Sequence, residues 1–365
     1  MIGWKAKVWY EFQIALVRYA NENLQKGGIM AAKFNYFEDY EIGQEGETWS
    51  RTVGAAAINT FAYITGDHAR EHMDRHGAAK SPYKEIVAHG LLGSSLVVGM
   101  TSLVCPQVVG RGVPEAYLCG FEITYRGAIM IEDTIKIKWR VAEKTDDPAQ
   151  AGFGLIKNAF QVINQEDKAV YEGSLSTKVR KEAAKEERLS LKPGKPWEIK
   201  EFVLDPEKFY YMDDFIVGEG QVSDGRTITE TDIVNFAGLT GDYNPLYVDV
   251  PFAEESVFGE RIAPPLLPWT IGMGLWIRDG DFLRTKVAPE AATWAGHLGD
   301  GATFPAPVKI GDTIRILWRV ESTRASKSKP ELGIMRLGLQ ILNQRDEVVQ
   351  EGYIAMTRGT KAAAK

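Results

Sequence analysis

Apolar residues at helical spacing mark the first clear element of the chain. Within residues 54–65, apolar and small residues recur every three or four positions, which predicts an amphipathic helix. Its buried face would consist of Ile58, Phe61, Ala62 and Thr65. Gly66 follows at once, and a glycine in this place commonly ends a helix. A turn ending at Gly46 precedes the helix, so we expect a strand around 47–53 between them.

A second element is apolar throughout. No charged residue occurs between Gly90 and Val104. An uncharged run of this length predicts a buried helix that begins after His89, although periodicity alone leaves a strand open. Further strands are predicted near 117–126, 133–142, 153–163 and 168–179, where β-branched and aromatic residues lie between turns. Several strands after one buried helix indicate an α+β fold with an antiparallel sheet wrapped around that helix.

The second half of the chain repeats this pattern. An offset of 175 relates Asp67 to Asp242, since 242 − 67 = 175. The same offset links Gly43 to Gly218, Arg51 to Arg226 and Ala88 to Ala263. After a small length change between residues 90 and 133 the offset becomes 179, which links Asp133 to Asp312, Trp139 to Trp318 and Asn164 to Asn343. A period this long indicates two whole domains, since solenoid repeats are several times shorter.

The repeat and the charge pattern together predict the domain boundaries. They are an N-terminal extension at 1–35, a first domain at 36–180, a charged linker at 181–207, a second domain at 208–358 and a tail at 359–365. Aromatic and aliphatic residues within 4–26 predict a short helix. Alternatively, the functional chain begins at Met30 and the preceding residues are dispensable.

Composition narrows the class of protein. The 365 residues carry a net charge of −6, so no overall basic field favours nucleic acid. No apolar run is long enough to span a membrane. The two cysteines, Cys105 and Cys119, belong to no close Cys/His cluster. Because the charges of Glu11 and Arg18 interrupt the N-terminal apolar residues, a signal peptide is a poor fit. We therefore expect a cytoplasmic protein without a zinc site.

The two halves differ where chemistry is concentrated. Residues 65–74 read TGDHAREHMD and residues 240–249 read TGDYNPLYVD. Asp67 is followed five positions later by His72, a carboxylate and an imidazole suited to acid/base work. Asp242 is followed at the same distance by Tyr247, which does not replace a histidine near neutral pH.

Both halves resemble the MaoC-like acyl dehydratases, or (R)-specific enoyl-CoA hydratases, of the hotdog fold. That family typically shows Gly-Asp-x-Asn-Pro-x-His, followed by an Ala-His-Gly that opens the central helix. The first half keeps Asp67, His72 and the stretch Ala88–Gly90, and the second half carries the fuller segment at 232–249. The resemblance covers about 36–180 and 208–358, and it implies two tandem hotdog domains.

The departures from the family pattern are asymmetric. In the first half the Asn-Pro has become Ala69-Arg70, so any contact made by that asparagine is missing. In the second half the histidine is Tyr247 and the Ala-His-Gly reads Ala263-Pro264-Pro265. Pro265 has no N–H where the glycine amide would be. The second half has therefore lost a base and a donor, and the resemblance implies one active half and one that helps to shape the acyl pocket.

The resemblance assigns candidate roles in hydration of a 2-enoyl-CoA to a (R)-3-hydroxyacyl-CoA. Asp67 and His72 would hold and activate one water, and the sequence leaves open which of them removes its proton. The N–H of Gly90 at the helix N-terminus would stabilise charge on the thioester oxygen. His89 is expected to hydrogen-bond locally or to contact substrate, and Arg126 to meet the phosphates of coenzyme A. Asp74 and Asp249, at matching positions, are expected to be structural caps.

Other functions remain open at this point. A hotdog thioesterase would also use a carboxylate near the helix N-terminus, and a non-catalytic acyl-CoA-binding subunit would need neither residue. The resemblance implies no metal and no cofactor, since coenzyme A is part of the substrate. A metal site from His68, His72 and His76 is the alternative.

Substrate and assembly are equally open. The acyl group could be a branched short dicarboxylyl, a long fatty chain or a steroid side chain. The aromatic residues Trp269, Trp276, Trp294 and Phe304 would line its pocket or, more simply, fill the core. The two domains are expected to pair their sheets edge to edge as a pseudodimer, with a homodimer of such units also open.

Overall fold

The computed structural model describes residues 36–104, 116–205, 207–208, 210–279, 296–326, 329 and 331–361. The helix predicted within 4–26, Cys105 and Trp294 lie outside these residues.

The first half contains six strands and four helices among its described residues. The strands are β1 (Glu45–Glu47), β2 (Arg51–Thr52), β3 (Ala116–Tyr125), β4 (Thr134–Asp146), β5 (Phe153–Ile163) and β6 (Ala169–Arg180). The helices are α1 (Ala55–Thr65), α2 (Arg70–Met73), α3 (Arg75–Ala78) and α4 (Gly90–Val104). The two predicted helices and the four long strands are confirmed, whereas the strand expected at 47–53 is divided into β1 and β2.

The second half repeats this order. Its strands are β7 (Lys200–Glu201), β8 (Glu219–Val222), β9 (Arg226–Thr227), β10 (Gly296–Thr303), β11 (Thr313–Ala325), β12 (Leu332–Leu342) and β13 (Val348–Gly359). Its helices are α5 (Glu230–Thr240), α6 (Pro245–Val248), α7 (Val250–Glu255) and α8 (Leu266–Asp279). Strand β7, within the charged linker, pairs in parallel with β8, so part of the linker extends the second sheet.

One continuous sheet joins the two halves. Its main path runs β1-β4-β5-β6-β3-β10-β13-β12-β11-β8-β7, with β2 on β4 and β9 on β11. Strands β3 and β10 form the junction, where Gly299 to Thr303 pair antiparallel with Thr124 to Gly120. The expected edge-to-edge pseudodimer is therefore confirmed, and each long buried helix lies against the sheet of its own half.

The helices of the two halves also pack against each other. Helix α1 contacts α8 and helix α5 contacts α4. Both contacts depend on glycine, since a methyl group added to Gly274 would lie 1.9 Å from Thr65 O, and one added to Gly99 would lie 2.0 Å from Thr240 O. The offset of 175 relates both members of the two pairs, so the same close approach occurs twice. It brings the end of α1, directly before Asp67, against the second half.

Candidate active site

The backbone after helix α1 fixes Asp67. Gly66 ends the helix in the left-handed conformation at φ 85° and its N–H donates to Ala62 O. The next N–H, that of Asp67, donates to Thr65 Oγ1 at 3.2 Å. The Asp67 carboxylate in turn accepts from the N–H of Ala69 at 3.2 Å. The aspartate thus stabilises its own turn, as Asp commonly does, and one oxygen of the same carboxylate remains for other partners.

His72 is held in one tautomer. Its Nδ1 lies 2.7 Å from the carbonyl oxygen of Val87. A carbonyl only accepts, so Nδ1–H donates and Nε2 carries the lone pair. His72 also lies in the wall of a cavity of about 260 Å³. An imidazole whose Nδ1–H is bound in this way can accept a proton at Nε2, as a general base must.

His89 packs against His72 and hydrogen-bonds to the backbone of Asp67. It is 1% exposed, and its Nε2–H donates to the carbonyl oxygen of Asp67 at 3.0 Å. Its ring stacks on that of His72 at 3.8 Å between centroids and packs on Phe61 at 4.9 Å. Neither His89 nor Asp67 lines the cavity, but Asp67 is only partly buried, whereas His89 is fully buried. The local hydrogen bond expected from the sequence is therefore present, and the geometry favours positioning of Asp67 and His72 over substrate contact.

Burial shifts the pKa values of two of these groups. Burial raises the pKa of Asp67, an effect that the nearby His72 and the Ala69 N–H oppose. Burial lowers the pKa of His89 well below its usual value, and His72 adds to that shift. His89 is therefore neutral at physiological pH, and it places no positive charge next to Asp67 and His72.

Asp67, His72 and His89 offer ligand atoms within 4.8 Å of one another. The two imidazole planes are tilted by only 33° at a 3.8 Å centroid separation. Imidazole lone pairs lie in the ring plane, so stacked rings do not direct both nitrogens to one ion at about 2.0–2.1 Å. The alternative set from the sequence included His68 and His76, whose side chains are exposed and belong to no such cluster among the described residues.

Gly90, the first residue of α4, forms the floor of the cavity. A side chain at this position would lie 3.1 Å from the Tyr125 ring and 3.2 Å from His297 Nδ1. The first N–H groups of a helix have no partner within the helix, and the dipole there favours negative charge. Glycine thus leaves both space and a backbone donor next to His72.

Arg126 lies at the cavity, but it is paired. Its guanidinium binds Glu172 Oε1 through Nε at 2.7 Å and through Nη2 at 2.5 Å. The Arg126 side chain is 58% exposed. A contact between this residue and a coenzyme A phosphate stays a prediction, and it would have to compete with Glu172.

In the equivalent region of the second half, the described side chains at the matching positions are buried. Tyr247 is 3% exposed, and burial together with Asp242 raises the pKa of its hydroxyl well above the usual value. Trp269 and Phe304 are 0% and 1% exposed, so they belong to the core, as does Trp276 at 3%. Asn244, where the first half has Ala69, accepts from the Leu246 N–H as the N-cap of α6. Its role in this half is structural.

The matching aspartates also behave as predicted. Asp74 accepts from the Gly77 N–H and Asp249 from the Phe252 N–H, each capping a short helix.

Two residues that line the cavity, Tyr125 and His297, were missed from the sequence, as was Asp300, which is buried behind them. The Asp300 carboxylate, 0% exposed, accepts from Tyr125 Oη at 2.5 Å and lies 2.8 Å from His297 Nε2. His297 and Asp300 belong to β10 of the second half. Only the junction with β3 brings them to the cavity of the first half, and no local motif marks them.

Comparisons with known proteins agree with this architecture. The MaoC like domain family matches residues 38–155 and 216–338, more than half of the chain. The 3-hydroxybutyryl-CoA dehydratase of Methylorubrum extorquens is 31% identical over 108 residues, 30% of this chain and 64% of that protein. The (R)-specific enoyl-CoA hydratase of Rhodospirillum rubrum is 35% identical over 106 residues, 29% of this chain and 65% of that protein. The matches thus span somewhat less than two thirds of these relatives.

Solved structures match over most of the chain. A MaoC domain protein dehydratase described as putative, from Chloroflexus aurantiacus, superimposes with a TM-score of 0.72 at 17% identity, covering 92% of this chain and all of that one. A Mycobacterium tuberculosis protein with a double hotdog fold gives a TM-score of 0.66 at 17% identity, covering 88% and 98%. At these identities the structures establish the fold alone.

None of the helices in the described ranges combines the length and apolar character needed to cross a membrane. The two matched domains, their order and their joined sheets lead to one conclusion: the chain belongs to the MaoC-like domain family and has a double hotdog fold.

Proposed function

We propose that this protein is a hydratase/dehydratase that interconverts a 2-enoyl-CoA and a (R)-3-hydroxyacyl-CoA. The observation that carries the proposal is the position of His72, whose Nδ1–H is bound to Val87 O, in the wall of a cavity that Gly90 also lines, with the Asp67 carboxylate within 4.8 Å of its ring. The names of the two curated relatives support the reaction class and, for the second, the (R) configuration.

The carboxylate and the imidazole are spaced to hold one water. Ligand atoms of Asp67 and His72 lie within 4.8 Å of each other. A water at about 2.8 Å from each would bridge them. In the hydration direction the water oxygen bonds to Cβ of the enoyl group while one of its protons passes to this pair. The π electrons shift toward the thioester oxygen, and the resulting enolate takes a proton at Cα, so that one H₂O has been added.

The enolate oxygen would be placed at Gly90. Its N–H opens helix α4, where free donors and the helix dipole favour negative charge. The absence of a side chain lets the thioester approach the backbone, because any Cβ there would crowd Tyr125 and His297. Arg126 and the lysines of the 80–84 loop would stay near the cavity mouth as candidates for the coenzyme A phosphates.

The test is to incubate the purified protein with a panel of enoyl-CoAs, from crotonyl-CoA to branched and long-chain thioesters. Hydration is measured as the loss of the absorbance of the conjugated thioester. We expect turnover by the wild-type chain and a loss of about 10²–10⁴-fold in kcat in Asp67→Asn and in His72→Ala. The exposed His76→Ala serves as the matched control and should retain full activity.

Two other results would contradict the proposal. Release of free coenzyme A thiol without hydration would indicate a thioesterase. Binding of acyl-CoA without any turnover would indicate a non-catalytic acyl-CoA-binding protein.

A further inference from the structure

A polar network at the cavity combines two residues of the second half with two of the first. Asp300 of β10 is fully buried and accepts from the Tyr125 hydroxyl. Its other oxygen lies 2.8 Å from His297 Nε2. Ser94 Oγ of helix α4 lies 3.1 Å from both Tyr125 Oη and Gly90 O. The network therefore runs from strand β10 to the first turn of helix α4.

The pseudo-symmetry of the molecule shows that this network is specific to one site. At the junction Gly301 pairs with Glu122, and 301 − 122 = 179, which equals the offset of this part of the repeat. The bulge between Leu118 and Gly120 on β3 matches the one between His297 and Gly299 on β10. The pseudo-twofold axis thus passes through the Gly301–Glu122 pair and assigns a counterpart to each network residue.

The counterparts are all apolar. The offset of 179 relates Leu118 to His297, Phe121 to Asp300 and Tyr125 to Phe304, and the offset of 175 relates Ser94 to Trp269. Phe121 packs on Trp269 and Phe304, with ring centroids 6.2 and 5.9 Å apart. One site therefore has a hydroxyl, a phenol, a carboxyl and an imidazole where the other has a packed aromatic core. The polar set coincides with the half that keeps Asp67 and His72.

His297 faces the place where the thioester would bind. Its Nδ1 lies 3.2 Å from the position of a side chain on Gly90, and its side chain is 17% exposed. His297 and Gly90 both line the cavity. His297 Nδ1 thus borders the space that a side chain on Gly90 would occupy, in the same cavity where an oxygen would accept the Gly90 N–H.

A donor at Nδ1 needs a hydrogen on that atom. The other ring nitrogen, Nε2, lies against the Asp300 carboxyl. Nδ1 carries a hydrogen when Nε2 accepts from that carboxyl or when both nitrogens are protonated, and these are the two forms that the role proposed below requires. The Tyr125 hydroxyl, which burial and Asp300 keep protonated by raising its pKa, fixes the second carboxyl oxygen.

We propose that His297 is a second donor to the thioester oxygen, acting beside the Gly90 N–H, and that Asp300 is the residue that positions it. This inference rests on the proposed function, because it assumes that an acyl thioester binds at Gly90. It gives the second hotdog a direct part in catalysis of the first. Two donors at the oxygen would stabilise the enolate more than the neutral thioester, so the effect belongs mainly to kcat.

The decisive experiment measures the carbonyl itself. We would bind the saturated analogue of the best-hydrated enoyl-CoA, or butyryl-CoA if none is hydrated, labelled with ¹³C at the carbonyl, and record its infrared stretch. Donors lower this frequency. We expect His297→Phe, which keeps the ring volume, to move the bound frequency back toward the free value. We expect His297→Gln, which keeps an N–H, to retain part of the shift, and His76→Ala to change nothing.

Kinetics provide the second readout. Loss of one such donor typically costs about 10²–10³-fold in kcat. We expect His297→Phe to show a loss of this order with KM changed by less than about threefold, and Asp300→Asn a smaller loss in the same direction. An unchanged carbonyl frequency in His297→Phe would overturn the donor role, even if turnover fell. Absence of hydration by the wild type would refute the proposed function instead, while the infrared shift would still report on His297.

Discussion

At the residue scale, the candidate site contains polar groups whose burial costs folding free energy. Asp67 stabilises its turn through the Ala69 N–H, yet burial raises the pKa of its carboxyl. His89 is buried and neutral, with its Nδ1 lacking a partner among the described residues. These are costs to folding that an active site commonly carries. They lead to a prediction about stability as well as activity.

Asp67→Asn is expected to be inactive and at least as stable as the wild type. Because the pKa of Asp67 is higher in the folded protein than in the unfolded chain, the folded state binds more protons between the two values. Stability therefore falls as pH rises through that window, and the ionised carboxylate costs stability at neutral pH. Asparagine keeps the acceptor for the Ala69 N–H and removes the charge. We expect a melting temperature unchanged or up to about 3 °C higher at pH 7.

The measurement is thermal unfolding of both proteins from pH 4 to pH 8. The gain in Asp67→Asn should shrink as pH falls and the wild-type carboxyl takes up its proton. A variant clearly less stable than the wild type at pH 7 would contradict the assigned direction.

At the element scale, the turn that carries Asp67 is supported by a helix of the other half. Gly274 of α8 meets Thr65 O, and a methyl group there would also lie 3.2 Å from Asp67 N. The pseudo-symmetric Gly99 of α4 meets Thr240 O, in the half that has Tyr247 in place of the histidine. The two glycines form a matched pair. Their steric constraints are similar, but only Gly274 lies next to Asp67.

Gly274→Ala and Gly99→Ala are expected to lower the free energy of unfolding by similar amounts, about 1–3 kcal/mol each, because each forces a backbone contact apart. Only Gly274→Ala should also lower kcat, by about tenfold or more, since it displaces the Asp67 turn. Denaturant unfolding and enoyl-CoA turnover of the two variants provide the test. Equal losses of kcat would show that α8 has no particular role in placing Asp67.

At the scale of the whole molecule, residues of both halves line one cavity. The junction of β3 with β10 gives one sheet and brings His297 to the first cavity. The region that the pseudo-twofold axis relates to this cavity contains Phe121, Trp269 and Phe304, each at most 4% exposed. Loss of the histidine at Tyr247 is therefore one of several changes, and reversing it alone should not restore chemistry.

The double variant Asp67→Asn, Tyr247→His is expected to show no more turnover than Asp67→Asn alone. Pro265 still lacks the N–H, and the aromatic residues still fill the space that an acyl group would need. Enoyl-CoA turnover by the two variants, measured at equal concentrations of folded protein, tests this. A rate recovered to within tenfold of the wild type would show that the second site is open.

The sequence alone predicts much of this architecture. The repeat in register predicted two domains, the uncharged run after His89 predicted one buried helix, and the spacing of Asp67 and His72 predicted a site that stays a prediction. These signals are local: they depend on periodicity and on neighbours a few residues apart. The division of the strand expected at 47–53 was not readable, because it depends on pairing with β4.

The tertiary structure alone decided what surrounds Asp67 and His72. His89 proved to support the site from below, because its side chain turns to the carbonyl of Asp67. Tyr125, His297 and Asp300 meet although they are up to 175 residues apart in the chain. Their meeting depends on the register of the β3–β10 junction, a long-range pairing for which no short segment carries a signal. Sequence determined the parts and their duplication, and the packing of one half on the other determined which groups share a cavity.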